Sequence, residues 1–413
     1  MSVEHAAGVT RSVSIADVHA ARAVISTVAK RTPIVTSVTL SEQYRRPVVL
    51  KAENLQRTGA FKIRGAMNKV SQVAALGAAT NGVTTASAGN HAQALALAAR
   101  HYGVRCDIFV PAGAAITKIE SCRAHGAEVF EVGASFEEAM AAARERTRDR
   151  EMILCHPFDD PAVVAGQGTL GLELVDDIAD LSSVVVPLGG GGLAAGVAIA
   201  LKSLLPGIRV VGVQAAVCAP YAGGLSPAGP VLTLADGIAV KRPGELTGPL
   251  VDRWVDEIVT VDEDAIADAM VLLMDRAKLY VEGAGAVGVA ALRSAAVTPA
   301  ESGVTCVVLS GGNVDLGVVP GLIRRHETSA GRRLVVFARI DDQPGSLVRL
   351  LSVFAAAGAN LVEVQHEREG VNLHVRQTGV HATFEVRGPD HARKVVEAAH
   401  AAGYPDLHVA SDL

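Results

Sequence analysis

From residue 47 onward, short β-branched runs alternate with Ala-rich stretches of helical length. That alternation predicts strands crossed by helices in an open, mostly parallel α/β sheet. The strand-like runs are Val48-Val49-Leu50, Cys106-Asp107-Ile108-Phe109-Val110, Ser183-Val184-Val185-Val186, Val210-Val211-Gly212-Val213 and Thr305-Cys306-Val307-Val308-Leu309. Ahead of them, Ser14-x-x-Asp17 predicts a capped helix start. Ile15, Val18, Ala21, Ile25 and Val28 then share one apolar face until Pro33 ends it.

The pattern changes near residue 326. His326 to Arg333 is polar and reads as a linker between a first domain, 1–325, and a second, 334–413. The second reads as strand (Leu334 to Ile340), turn, helix (Ser346 to Ala357), strand (Asn360 to Arg368), strand (His381 to Arg387), helix (Pro389 to Ala402) and a last strand around Leu407-His408-Val409. A βαββαβ order predicts a small ferredoxin-like module.

Composition sharpens this picture. Hydrophobic residues make up 49% of the 413 and aromatics only 3%, so the cores are built from Ala, Val, Leu and Gly. A net charge of -5 without a long Lys/Arg run gives no electrostatic footprint for nucleic acid or an anionic membrane. Five separated cysteines with no C-x-x-C pair fit a reducing compartment. Met1 to Ser12 lacks the apolar stretch of a signal peptide, and no apolar segment reaches the roughly 20 residues needed to span a bilayer. A soluble, cytoplasmic protein is expected.

Four short segments carry candidate chemistry. Lys62 stands in the apolar Thr58 to Ala66 segment, at a loop-to-helix junction, where desolvation can turn an amine into a nucleophile toward an aldehyde. Ser87-Ala88-Gly89-Asn90-His91 follows the strand-like Val83-Thr84-Thr85 and opens an Ala-rich helix, a place where free N–H groups favour a carboxylate or phosphate. Gly189-Gly190-Gly191-Gly192-Leu193 lies between a strand and a helix, lacks the lysine and hydroxyl of a P-loop, and suits a single cofactor phosphate. Ser310-Gly311-Gly312-Asn313 sits at the carboxyl end of an apolar strand, where open α/β sheets place ligands. Each alone also reads as an exposed lysine, a capped helix or a tight turn.

Together they resemble the fold-type II pyridoxal phosphate enzymes. Lys51 to Ala66, Ser87 to Gln93, His156-Pro157-Phe158-Asp159-Asp160, Gly166-Gln167-Gly168-Thr169 and Ala235 to Val240 look like the threonine ammonia-lyase (threonine dehydratase) family, across residues 14 to 325. The resemblance implies two open α/β subdomains like those of tryptophan synthase β, with the smaller, about 53–155, inserted in the larger. It also implies that Lys62 holds pyridoxal 5'-phosphate beside Phe61, that Gly189 to Leu193 bind its phosphate, and that Asn90 contacts the ring hydroxyl. Ser310 would face the ring nitrogen, Ser87 to His91 would hold the substrate carboxylate, and Glu282 would be an active-site neighbour.

The implied reaction is elimination of water from L-threonine, or L-serine, to a 2-oxo acid and ammonia, in isoleucine biosynthesis under allosteric control. Ala60 replaces the family's usual Ser. Ala88 stands where similar serine racemases carry a reprotonating serine, which favours elimination over racemisation. Relatives that bind a divalent cation have a glutamate near Gln214 to Val217, which this chain lacks, so no metal is expected. The tail is similar to an ACT domain. It implies an effector site at Asp342, Pro344, Gly345, Ser346 and Asn360, for isoleucine, valine or AMP, and a homodimer or homotetramer. A racemase or β-replacing enzyme on the same scaffold, or a non-catalytic amino-acid sensor, are the alternatives.

Overall fold

The computed structural model describes residues 12–77, 80–224, 227–368 and 373–409. Most of the amino-terminal stretch read for a leader therefore lies outside the described residues. The chain divides after Val314 into two compact units.

The first helix, Ile15–Ile25, opens on the expected capping box: the Ser14 amide donates to Asp17 Oδ2 at 2.9 Å and the Ser14 side chain accepts from the Asp17 amide. It stops sooner than its apolar pattern suggests. The amides of Val28 and Ala29 both converge on the Ile25 carbonyl, closing the helix in a turn before Pro33 is reached. A short strand, Ile34–Thr36, follows that composition did not single out.

Six strands form the larger sheet of this unit, in the order Ile34–Thr36, Val48–Ala52, Val304–Leu309, Leu181–Pro187, Arg209–Ala215, Glu257–Val261. Only the first pairing is antiparallel. The smaller sheet is all parallel: Glu128–Glu131, Cys106–Val110, Val83–Ala86, Ile153–Leu154. Small residues let the covering helices approach closely. A side chain at Gly168 would lie 2.8 Å from the Gly196 carbonyl oxygen, which joins helix Pro161–Asp177 to helix Gly192–Leu204. That close approach is the structural counterpart of a core with few aromatic rings.

In the second unit an antiparallel sheet runs Asn360–Glu367, Gln377–Glu385, Arg333–Asp341, His408–Val409. Its strands and the helices Ser346–Ala356 and Pro389–Ala401 give the expected ferredoxin-like βαββαβ order, and Leu350, Phe354, Val395 and Ala399 are buried with Val336, Val380 and Phe384. The segment 326–333 is not a free linker. His326 to Ser329 end a helix, Val319–Ser329, that belongs to the second unit, and Arg333 begins its first strand. Leu322 is this helix's one buried residue, so its sequence is polar enough to look like a connector.

Candidate active site

Lys62 is the first residue of helix Lys62–Ala74 and follows a strained turn. Thr58 (φ 62°) and Gly59 (φ 72°) are both left-handed. A β-branched residue rarely adopts this conformation, and a side chain at Gly59 would also collide with the Asn313 amide. The turn is held by the segment that leaves the central strand Val304–Leu309. Phe61 N–H donates to the Ser310 carbonyl at 3.0 Å, Gly312 N–H donates to the Gly59 carbonyl at 2.8 Å, and Ala60 bridges Gly311. Lys62 Nζ donates to the Pro157 carbonyl at 2.9 Å. Burial pulls its pKa down to about 8, against the opposing charge of Glu282.

A buried ion network anchors the same helix within its first turn. Arg64 pairs with Glu53 at 2.8 Å and Glu173 at 2.7 Å, and Lys51 pairs with Glu173 at 2.7 Å. Burial alone would lower the Arg64 pKa, but the two carboxylates hold it above its ordinary value; Glu53, buried beside Arg64, is correspondingly held below its own. In the sequence Lys51, Glu53 and Arg64 stand out only as parts of a motif. Nothing local marks them as one network, because Glu173 arrives from a distant helix.

Gly89 caps helix Asn90–Tyr102, so the amides of Asn90 and His91 belong to its first turn. Ser87 Oγ accepts from the Gly89 amide at 3.3 Å, shaping the approach to that turn. The Asn90 side chain donates to Glu282 Oε1 at 2.7 Å and accepts from Asn313 Nδ2 at 2.8 Å, while Asn313 also donates to the Thr58 carbonyl at 2.7 Å. Asn90, Glu282 and the lysine turn are thus one hydrogen-bonded group. Glu282 is buried, and desolvation together with Asp236 pushes its pKa up to about 7. His91 points elsewhere. Its Nε2 meets the Cys155 carbonyl at 3.0 Å, and burial holds its pKa down at about 3, so the ring is neutral and only its backbone faces the helix start.

The glycine loop Gly189–Gly192 is buried and leads into helix Gly192–Leu204. Side chains have no room there: Gly190 lies against the Phe158 ring, a Cβ at Gly189 would lie 2.9 Å from Ile238 Cα, and Gly191 has φ 92°. The Gly190 carbonyl accepts from Thr247 Oγ1 at 2.6 Å and from Tyr221 at 3.3 Å. Among the described residues no protein acceptor takes the amides of Gly189, Gly190 or Gly191. Buried amides at a helix start, in a cradle that a Cβ would fill, fit a phosphate. Phe158, Thr247 and Tyr221 shape that cradle and were not named as site residues. Phe158 had a sequence signal in the quoted motif at 156–160, whereas Tyr221 and Thr247 had none.

Ser310 is buried, with its hydroxyl 3.5 Å from the Ala284 carbonyl, a long contact that leaves it available to another acceptor or donor. Lys62, the glycine loop and Ser310 therefore fit pyridoxal phosphate: an amine of lowered pKa, free buried amides and a neutral hydroxyl. Leu193 is buried directly after the loop and Phe61 is half-buried directly before the lysine.

In the second unit, a cavity of about 330 Å³ is lined by Asp342, Pro344, Gly345, Val348, His366 and Arg368, among others. Asp342 pairs with Arg368 at 3.0 Å. Ser346 is buried behind Gly345 and accepts from Arg349 at 2.8 Å. Asn360 is not part of this group. It pairs with Glu385 at the opposite end of its strand from Glu367.

Residues 25–311 match the family model described as "Pyridoxal-phosphate dependent enzyme". The chain is 44% identical to the L-threonine ammonia-lyase of Geobacter sulfurreducens over 381 residues, covering 91% of this chain and 94% of that protein. Among solved structures, the threonine deaminase of T.th. superposes with a TM-score of 0.67 at 38% identity, covering 73% of this chain and 99% of its own. Maize serine racemase gives a TM-score of 0.68 at 33% identity, covering 77% and 99%.

Proposed function

This chain belongs to the pyridoxal-phosphate dependent enzymes and, within them, to the L-threonine ammonia-lyases, and from that premise we propose that Lys62 carries the dehydration and deamination of L-threonine, with L-serine as a second substrate. The carrying observation is the hydrogen-bonded group of the Thr58–Lys62 turn, Asn90, Asn313 and Glu282, set against the glycine loop. Bound pyridoxal phosphate supplies an electron sink that acidifies the substrate's α-C–H. Lys62 would hold it, the amides of Gly189 to Leu193 would bind its phosphate, Asn90 its ring hydroxyl, and Ser310 its ring nitrogen.

The protein's own groups do the rest. The helix start at Ser87 to His91 binds the substrate carboxylate through backbone amides and so fixes which face of Cα meets Lys62. Lys62 Nζ, of lowered pKa, takes the α-proton as general base and holds it. Ala88 offers no hydroxyl on the other face, so reprotonation there is not assisted. Lys62 Nζ then gives that proton to the departing β-hydroxyl, which leaves as water and returns the amine to its free base, and the released enamine hydrolyses to 2-oxobutanoate and ammonia.

The second reading is racemisation, favoured by the likeness to maize serine racemase. One assay separates the two: purified enzyme with L-threonine and L-serine, following 2-oxo acid and D-serine. Keto acid formation well ahead of D-serine supports the lyase. D-serine as the main product rejects it.

The second unit we read as an ACT-like sensing module. Its Asp342–Arg368 cavity and the start of helix Ser346–Ala356 offer complementary groups for an amino acid's ammonium and carboxylate, which suits isoleucine or valine better than AMP. Control by isoleucine suits a reaction at the head of that amino acid's synthesis. Assembly as a homodimer or homotetramer goes with this reading. The five cysteines are free and buried, in keeping with a cytoplasmic enzyme, and among the described residues no helix is long and apolar enough to cross a membrane.

A further inference from the structure

The turn Asp236–Ile238 touches three parts of the site at once. On one side Ile238 packs against the glycine loop at Gly189. On another, Leu234 and Ala235 close on Gly283: a Cβ there would collide with the Leu234 carbonyl and lie 3.0 Å from the Ala235 nitrogen. Gly237 faces Ala284 and Glu282; its Cβ would lie 3.1 Å from the Ala284 Cβ and 3.7 Å from Glu282 Oε1. From its exposed side Asp236 reaches Lys118 Nζ at 3.6 Å. Lys118 stands on helix Ile116–Ala124, which belongs to the layer of the smaller sheet.

One ion pair therefore joins the smaller α/β layer to the segment that seats both the phosphate cradle and Glu282. We propose that Lys118 and Asp236 are positioning residues, a clasp that transmits the placement of the smaller layer over the substrate to the glycine loop and to Glu282. This rests on the lyase reading of the site. The Asp236 carboxylate is 68% exposed and the Lys118 side chain 29%, so the clasp is weak enough to open in each turnover.

The groups that face Glu282 from its surroundings are Asp236, Lys118, the Asn90 side chain and the Asn313 backbone, with Lys62 feeling its charge. Asp236 and Lys118 act on it in opposite senses. Asp236 strengthens its hold on a proton and Lys118 weakens it. That opposition provides a signature that a merely structural role would not produce.

The test uses holoenzyme and the variants Asp236→Asn, Lys118→Met and the double variant, with steady-state kinetics on L-threonine across pH. Each single change should lower kcat/KM roughly threefold to fivefold, the scale of an exposed ion pair, and mainly through KM. The double variant should lose no more than the worse single one. The pH limb that Glu282 governs should move down in Asp236→Asn, up in Lys118→Met, and back toward wild type in the double. Limbs that stay put or move together, or losses that add, would overturn the clasp. Failure of the lyase reading would show separately, as absence of keto acid from the unsubstituted enzyme.

Discussion

The backbone N–H of Phe61 donates to the carbonyl of Ser310 at 3.0 Å. The residue before the lysine and the residue expected at the ring nitrogen are thus one bond apart, although they lie at opposite ends of the catalytic sequence. The backbone that carries the amine is hydrogen-bonded directly to the backbone that carries the hydroxyl, which pre-organises the two before any ligand arrives.

Gly59 is where that unit is most sensitive. Gly59→Ala places a Cβ at φ 72° and against the Asn313 side chain that also holds Asn90. We expect a stability loss of about 1–2 kcal/mol from the left-handed backbone alone. Because the turn aims Lys62, kcat/KM should fall by about tenfold or more. Urea unfolding and threonine turnover on the same preparation check both; near-wild-type values in each would reject the role.

Glu282 makes stability depend on pH in a definite direction. Folded, burial and Asp236 keep it protonated to about pH 7; unfolded, it ionises near the ordinary ~4.3. Between those values the folded state binds more protons, so stability falls as pH rises through that window, and the loss is complete above it. Glu282→Gln cannot ionise and should still accept from Asn90. Relative to wild type it should gain stability between pH 5 and pH 8, by up to about 3 kcal/mol. Denaturant midpoints of the two proteins at both pH values measure this, and an unchanged difference would contradict it.

Much of this was legible in the sequence. The strands at 106–110 and 304–309 and the two-helix module after residue 333 followed from periodicity, because a strand buried on both faces leaves an unbroken apolar run. Lys62, Asn90, the glycine loop and Ser310 were found as motifs. Asn313, Phe158, Glu53 and Arg64 lay inside quoted motifs but without a role, and Thr247 and Glu173 lay outside them, since each acquires its role from a partner distant in sequence. The helix Val319–Ser329 escaped for a different reason: one buried leucine is too narrow a stripe to announce itself among arginines and histidine.

In the second unit, Asp342→Ala removes the carboxylate that pairs with Arg368 at the cavity. The half-inhibitory concentration of isoleucine or valine should rise by about tenfold or more, the scale of a lost charge-assisted contact, with uninhibited turnover unchanged. An unaltered inhibition curve would reject the cavity as the effector site. A parallel fall in basal activity would mean that the substitution acts on the fold.

The central claim is that Lys62 is the cofactor anchor and base. Lys62→Ala should be purified beside wild type after loading with pyridoxal phosphate, and both the visible Schiff-base absorbance and 2-oxobutanoate formation from L-threonine recorded. The variant is predicted to lack the band and to lose turnover by at least about 10³-fold. A variant that keeps the band and the turnover would contradict the account.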